Sequence, residues 1–210
     1  MNSPRGRLFV ISAPSGGGKT SLTRALVPRL HARGHEAAIS VSYTTRAPRS
    51  GEQDGVHYHF VDETRFLAMI EAGEFLEHAQ VFGRRYGTGR TATETQLAQG
   101  VDLMLDIDWQ GAQQVRRQLQ DVISVFILPP SVAELRRRLQ GRGQDDAETV
   151  EHRMAEARAE MSHYKEYDYL IVNRDFEQAL DELAALFIAP RLSLGPQAAR
   201  HAGLIGALLA

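Results

Sequence analysis

The sequence predicts an α/β fold of three layers, a parallel sheet covered by helices on both faces, with a small α+β insertion and a helical segment near its end. Three observations carry this. Residues Leu8–Ser21 (LFVISAPSGGGKTS) run from an apolar segment through three glycines into a helical pattern. From residue 91 onward, short apolar runs alternate with helical ones, the rhythm of parallel strands joined by crossover helices. Between these parts, residues 42–90 turn polar, aromatic and rich in turn formers.

The apolar run Leu8–Ile11 is long enough for a buried strand and too short for most helices. Ser12, Ala13, Pro14 and Ser15, then Gly16, Gly17 and Gly18, break it, and Leu22, Ala25 and Leu26 carry the helix that follows. Strand, glycine loop, Lys19-Thr20 and helix form the layout of a phosphate-binding P-loop. Glycines let backbone N–H groups converge on one concavity at the positive end of a helix. Lys19 can reach the β- and γ-phosphates of a nucleotide, and the Thr20 hydroxyl can ligate Mg²⁺. The usual GxxxxGK[ST] pattern opens on glycine; here Ala13 stands in that place, a residue that disfavours positive φ.

The first helix is predicted over 20–33, with Pro28 as a kink or stop near its end and Gly34 beyond it. A strand follows at 37–41. Inside the insertion, VHYHFV (56–61) reads as a strand by alternation and β-propensity. Asp62 caps a helix over 63–72 that ends at Gly73. Residues 75–79 suggest another strand and 82–88 a hairpin or loop. The alternation then resumes. Helix 91–99, strand 101–107, helix 110–119 and strand 124–128 are followed by helix 132–139, loop 141–146, helix 147–161, strand 169–172 and helix 176–188. The apolar end Leu204–Ala210 (LIGALLA) packs on the body or a partner, or frays. The domain reading is therefore a core of residues 1–41 and 91–190, an insertion of 42–90 and a tail of 191–210.

The chain has 210 residues, 43% of them hydrophobic and 24% charged, enough for one globular domain with a sizeable core. A net charge of −2 gives no overall basic field for nucleic acid or membrane binding. Only Lys19 and Lys165 are lysines, so arginine, the better bidentate phosphate ligand, supplies the remaining basic residues. Cysteine is absent, which rules out disulfides, thiolate metal sites and cysteine nucleophiles and fits a cytoplasmic protein. Arg5 and Arg7 precede an apolar run that ends in the glycine loop rather than a cleavage site, so no signal peptide is read. No apolar stretch approaches the ~20 residues of a membrane span.

Asp106 and Asp108 fall at the predicted C-terminal end of a strand, the edge where α/β sheets gather ligands. A carboxylate there can hold Mg²⁺; either acid can also cap the next helix. Arg138, Arg142 and Arg153 lie in a charged helix–loop–helix stretch that can close as a lid over a triphosphate. Arg136 and Arg137 read as a solvated face. His57 and His59 alternate along a predicted strand without a third ligand at metal spacing, and read as ordinary strand histidines.

Taken in order, SAPSGGGKTS, SYTTRAPRSGEQDGVHYHF, EFLEHAQVFGRRYGT, LDIDWQGA, LRRRLQGRG and LIVN resemble the guanylate kinases, from about residue 7 to 188. The resemblance implies a P-loop nucleoside monophosphate kinase fold, ATP and Mg²⁺ as cofactors, and transfer of the γ-phosphoryl group of ATP to GMP. Ala13 then resembles a variant of the bacterial members. Residues 42–90 correspond to the GMP-binding insertion and about 134–160 to the lid. Ala13, Pro14, Ser15, Gly16, Gly17, Gly18, Lys19 and Thr20 fall on the ATP phosphate loop, with Asn173 and Arg142 near the adenine. Arg46 and Arg49 fall on the GMP phosphate clamp, with hydroxyls from Tyr58 and Tyr86. Ser42, Glu77, Thr88 and Asp108 fall on guanine contacts, and Glu52 is a further candidate. Asp106 falls beside the metal with Thr20, and Lys19, Arg138, Arg142 and Arg153 on the catalytic cations. Small molecules are then the expected partners, with a homodimer compatible and dGMP tolerance open. A kinase for a phosphorylated sugar would not need Glu77, Tyr58 and Tyr86. A non-catalytic module that binds phosphoproteins would have little use for Lys19, Thr20 and the lid arginines.

Overall fold

In a computed structural model, which describes residues 5–81, 83–141 and 147–210, the predicted α/β architecture is borne out. β1 (Leu8–Ser12) is buried along its whole length. Its neighbours are β7 (Asp102–Asp106) on one side and β8 (Val122–Leu128) on the other, both parallel to it. β2 (Ala37–Ile39) and β9 (Tyr169–Val172) complete a five-stranded parallel sheet in the order β2-β7-β1-β8-β9.

Alternation along β1 distributes its side chains to two cores. Phe9 and Ile11 join Leu22, Leu26 and Leu30 of α1 (Lys19–His31) and Leu183 and Phe187 of α7 (Phe176–Ile188). The Phe9 and Phe187 rings stack with centroids 3.6 Å apart. Leu8 and Val10 point the other way, to Leu97 of α3 (Arg90–Ala98) and to Ala112 and Val115 of α4 (Trp109–Gln118). Helices on both faces give the three layers.

α1 does not stop at Pro28; it continues to His31. Pro28 is exposed and sits in the last turns, so its ring meets solvent rather than the core and the helix loses only one bond near its end.

Residues 43–89 build a second sheet, β4-β3-β6-β5, from β3 (Tyr43–Thr44), β4 (His59–Phe60), β5 (Phe75–Val81) and β6 (Arg84–Gly89). α2 (Glu63–Glu71) packs on it through Phe66 and Met69, and Asp62 caps it as expected, accepting from Arg65 N at 2.7 Å. The strand predicted over 56–61 shrinks to His59–Phe60. Gly55 takes φ 72°, and the N–H groups of Gly55 and His57 bond to Tyr58 O and Gln53 O, so a local turn takes groups that a ladder would need. His57 lies outside the strand, where its Nδ1 accepts from Gln53 N.

α5 (Val132–Gln140) and α6 (Ala147–Ser162) form a helical pair, with Leu135 and Leu139 packed on Val150, Met154 and Ala157. After α7 the tail forms two short helices, α8 (Leu194–Arg200) and α9 (Ala202–Leu209), with Leu204, Leu208 and Leu209 exposed. No helix among the described residues is long and apolar enough to cross a membrane.

One buried charge is not legible in the apolar pattern of β7. Asp102 is 1% exposed, accepts from Arg7 N at 2.8 Å and pairs with Arg191 at 2.8 Å, which ties the tail to the sheet. Asp102→Ala leaves the Arg7 N–H and the part-exposed Arg191 guanidinium without their acceptor, so it is expected to cost about 2 kcal/mol in a denaturant unfolding measurement. A cost below about 1 kcal/mol would show that this link carries no stability.

Candidate active site

The C-terminal ends of β1 and β7 lie side by side in the parallel register, so their following loops share one edge of the sheet. Gly16 and Gly18 in the first loop take φ 82° and 93°, and Gly17 N bonds Pro14 O at 2.8 Å. A Cβ on Gly17 would stand 2.9 Å from that of Ala13, and one on Gly18 would stand 2.3 Å from Asn173 Nδ2. The loop is therefore a tight nest that ends at the N-terminus of α1. Ala13 packs against the Phe9/Ile11 core.

Lys19 Nζ donates to Ile107 O at 2.8 Å and pairs with Asp106 Oδ1 at 2.7 Å. Thr20 Oγ1 donates to Asp106 Oδ2 at 3.3 Å. One carboxylate at the end of β7 thus holds both side chains of the Lys-Thr pair. Asp108, two residues on, caps α4 by accepting from Gly111 N at 2.8 Å, so its capping role is real and leaves its other oxygen available.

The lid arginines are distributed differently. Arg138 donates to Glu134 Oε1 at 2.7 Å and to Asn173 O at 3.3 Å, beside the loop. Arg153 lies on α6, half-buried. Arg142 lies outside the described residues. Arg136 pairs with Glu151 and Arg137 with Glu134, consistent with a solvated face. Asn173 is 4% exposed, and its side-chain amide donates to Gly17 O at 3.1 Å, so it holds the loop.

The second sheet presents a different set. Arg46 donates to Glu52 Oε1 at 2.9 Å, and its guanidinium lies 5.4 Å from the Tyr58 ring centroid and 5.8 Å from that of Phe60. Glu52 also accepts from Arg49 N at 2.7 Å. These two bonds hold its carboxyl down at about 2, so Glu52 remains an anion that orients the Arg46–Arg49 turn. The Tyr58 and Tyr86 rings meet edge to face at 6.0 Å. Burial raises the Tyr58 phenol above its ordinary value, and the next cause is the charge of Asp106 on the first sheet. Ser42 precedes β3, and its carbonyl accepts from His59 N at 2.9 Å. The His59 ring lies tilted against Tyr43 at 4.6 Å, and no group of three or more metal-type ligands occurs among the described residues.

Glu77 is the least ordinary group in the site. It is 4% exposed, lies opposite Thr88 in the β5–β6 ladder, and accepts from Thr88 Oγ1 at 2.6 Å. Burial raises its carboxyl to about 7; Thr88 opposes that shift and Asp108 adds to it. A Cβ on Gly111 would stand 2.6 Å from its Oε2, so only glycine leaves room for the carboxylate at the start of α4. Gln114 bonds both His78 N and His78 O, at 3.1 and 2.7 Å, and Gln118 bonds Leu76 O at 2.8 Å, which joins β5 to the core. Gly111, Gln114 and Gln118 escaped the sequence reading; their spacing along one face of α4 was the available signal.

The guanylate kinase family model matches residues 5–189. A guanylate kinase of Alkalilimnicola ehrlichii is 58% identical over 192 residues, covering 91% of this chain and 93% of that one. A guanylate kinase of Escherichia coli is 55% identical over 206 residues, covering 98% and 99%. The crystal structure of guanylate kinase from Anaplasma phagocytophilum superposes with a TM-score of 0.73 at 37% identity, covering 90% of this chain and 88% of that one.

Proposed function

Because the chain belongs to the guanylate kinase family and phosphorylates GMP at the expense of ATP, we propose that the two residue sets divide that reaction between them. Residues 13–20 hold the ATP phosphates, and residues 42–90 form the acceptor subdomain that holds GMP. The observation that carries this division is the buried Glu77–Thr88 pair, whose carboxylate lies against Gly111 at the start of α4, just beyond the Asp106 end of β7. A carboxylate can accept from guanine N1–H and the 2-amino group, whereas adenine offers no such donors on that edge. Asp108 and Ser42 complete the guanine contacts. Arg46 and Arg49, oriented by Glu52, match a phosphate monoester with fork-shaped donors, and the Tyr58 and Tyr86 hydroxyls add two more.

The GMP phosphate is largely dianionic at neutral pH, its second pKa being ≈ 6, so no general base is needed. One of its oxygens bonds to the γ-phosphorus as the bond from that phosphorus to the bridging oxygen breaks, and ADP leaves. The protein's part is alignment and neutralisation of moving charge by Lys19, Arg138, Arg142 and Arg153. The Thr20 hydroxyl and the Asp106 carboxylate are hard oxygen donors, held together by one hydrogen bond, and suit Mg²⁺. When bound, the ion would neutralise negative charge on the β- and γ-phosphates. Closure of the acceptor subdomain and the lid keeps water from the γ-phosphate. The cysteine-free sequence suits a reducing cytoplasm as its place of action.

GDP formation from GMP and ATP, followed with and without Mg²⁺, tests the reading. Loss of turnover on chelation and recovery with Mg²⁺ are expected; metal-independent turnover would overturn the role of Thr20 and Asp106. Gly111→Ala tests the guanine side. The methyl group would press on Glu77 Oε2 and move the carboxylate off Thr88. The KM for GMP should rise about tenfold, while the stability gain of up to ~1 kcal/mol usual for this helix substitution should be missing. An unchanged KM would show that Glu77 does not need its present position.

A further inference from the structure

Three consecutive residues of the phosphate-binding loop are each held by a different element. Gly17 is held by Asn173, beyond β9, through its carbonyl. Gly16 lies against Leu135 and Leu139 of α5, where a Cβ would meet Leu135 Cδ1 at 3.1 Å. Ser15 donates its backbone N–H to Glu160 Oε2 of α6 at 2.9 Å. The first two contacts fix the shape of the loop. The third is made by the helix that also carries Arg153.

Glu160 is an unusual group for this place. A carboxylate stands against a loop built to attract anions, in the field of both Lys19 and Asp108. Burial holds its proton more tightly than usual, and the Ser15 N–H bond and Lys19 oppose this. A group chosen for its charge alone would be poorly placed beside a triphosphate. A group chosen as a hydrogen-bond acceptor is well placed, because a half-buried loop N–H without a partner is costly. On α6 the residues Val150, Met154 and Ala157 face the core, and Arg153, Glu156 and Glu160 form a half-buried stripe beside them. Arg153 and Glu160 are thus about two turns apart on one rigid helix.

We propose that Glu160 is a positioning residue, tying the phosphate-binding loop to the lid helix so that the place of Arg153 and the shape of the loop are set together. This rests on reading the loop as the ATP half of the site. Acceptor capacity rather than charge does the work, so glutamine should replace Glu160 and an apolar side chain of similar length should not.

The test compares wild type, Glu160→Gln and Glu160→Met in steady-state kinetics for ATP and GMP. Amide hydrogen exchange at Ser15, without nucleotide, is measured on the same proteins. Glu160→Met should lower kcat about tenfold, with the KM for GMP unchanged, and should exchange Ser15 about tenfold faster. Glu160→Gln should keep kcat within about threefold of wild type, with wild-type protection at Ser15. Wild-type kcat and exchange in Glu160→Met would overturn the proposal. So would a Glu160→Gln protein with the kcat loss and fast exchange expected of Glu160→Met; that comparison remains decisive if the methionine variant does not fold. A wild-type chain that binds no ATP would instead overturn the reading of the loop, while the exchange data would still report the tether.

Discussion

Lys19→Ala is expected to lower kcat for GDP formation by roughly 10³-fold with the fold intact. Lys19 is the first residue of α1, directly after the left-handed Gly18, so its ammonium group stands at the mouth of the nest. It is also the cation that pairs with Asp106. That ion pair holds the lysine at the sheet edge, beside the phosphate loop. The pair is part-exposed, with side chains 18% and 23% accessible, so its loss should cost only about 1 kcal/mol of stability. Thermal unfolding near that of wild type, together with the kinetic loss, is the expected pair of results. Turnover within tenfold of wild type would remove Lys19 from the chemistry.

Glu77→Gln carries the second large effect, and it has two signs. The folded-state pKa of Glu77 is raised to about 7 from an ordinary 4.5, so folding favours the protonated form. Below pH 4.5 the carboxyl is neutral in folded and unfolded chains alike and no penalty arises. As the pH rises from 4.5 to 7, the unfolded chain ionises while the folded carboxyl keeps its proton, so the cost to folding grows to about 3 kcal/mol and then levels off. Glutamine has no charge to bury, so the variant should unfold at higher temperature than wild type at pH 8 and at nearly the same temperature at pH 4.5. Function should move the other way. Guanine's donors need the anion, so wild-type affinity for GMP should fall about tenfold per pH unit below pH 7. In Glu77→Gln, affinity at pH 8 should be about 10²-fold weaker, and only the milder dependence of the GMP phosphate should remain. Equal stability at pH 8, or a pH slope that survives the substitution, would contradict this role.

How much of this was legible depends on whether a signal was local. β9 and α7 match their predicted limits because an apolar run and a capped amphipathic pattern are complete within themselves. The phosphate loop was legible for the same reason. The run VHYHFV was not, since a glycine just upstream, the backbone of Gln53 and the side chain of Asp54 redirect its hydrogen bonds. Strand order is set by crossovers, and nothing local places β7 between β1 and β2. Within the site, Asp106 and Glu77 were named by motif and resemblance. The partners that hold the site together are far apart in sequence: Glu160 to Ser15, Asn173 to Gly17, Gln114 to His78. No periodicity encodes such a pair. Asp108 shows the converse, a residue read in two ways whose helix-capping role is present in the structure.

The division of labour between the two sheets is tested most directly by one assay of ADP release, with GMP and AMP offered in parallel as acceptors. The structure predicts kcat/KM for GMP at least ~10³-fold above that for AMP, because AMP leaves the buried Glu77 without donors. AMP turned over as well as GMP would contradict it.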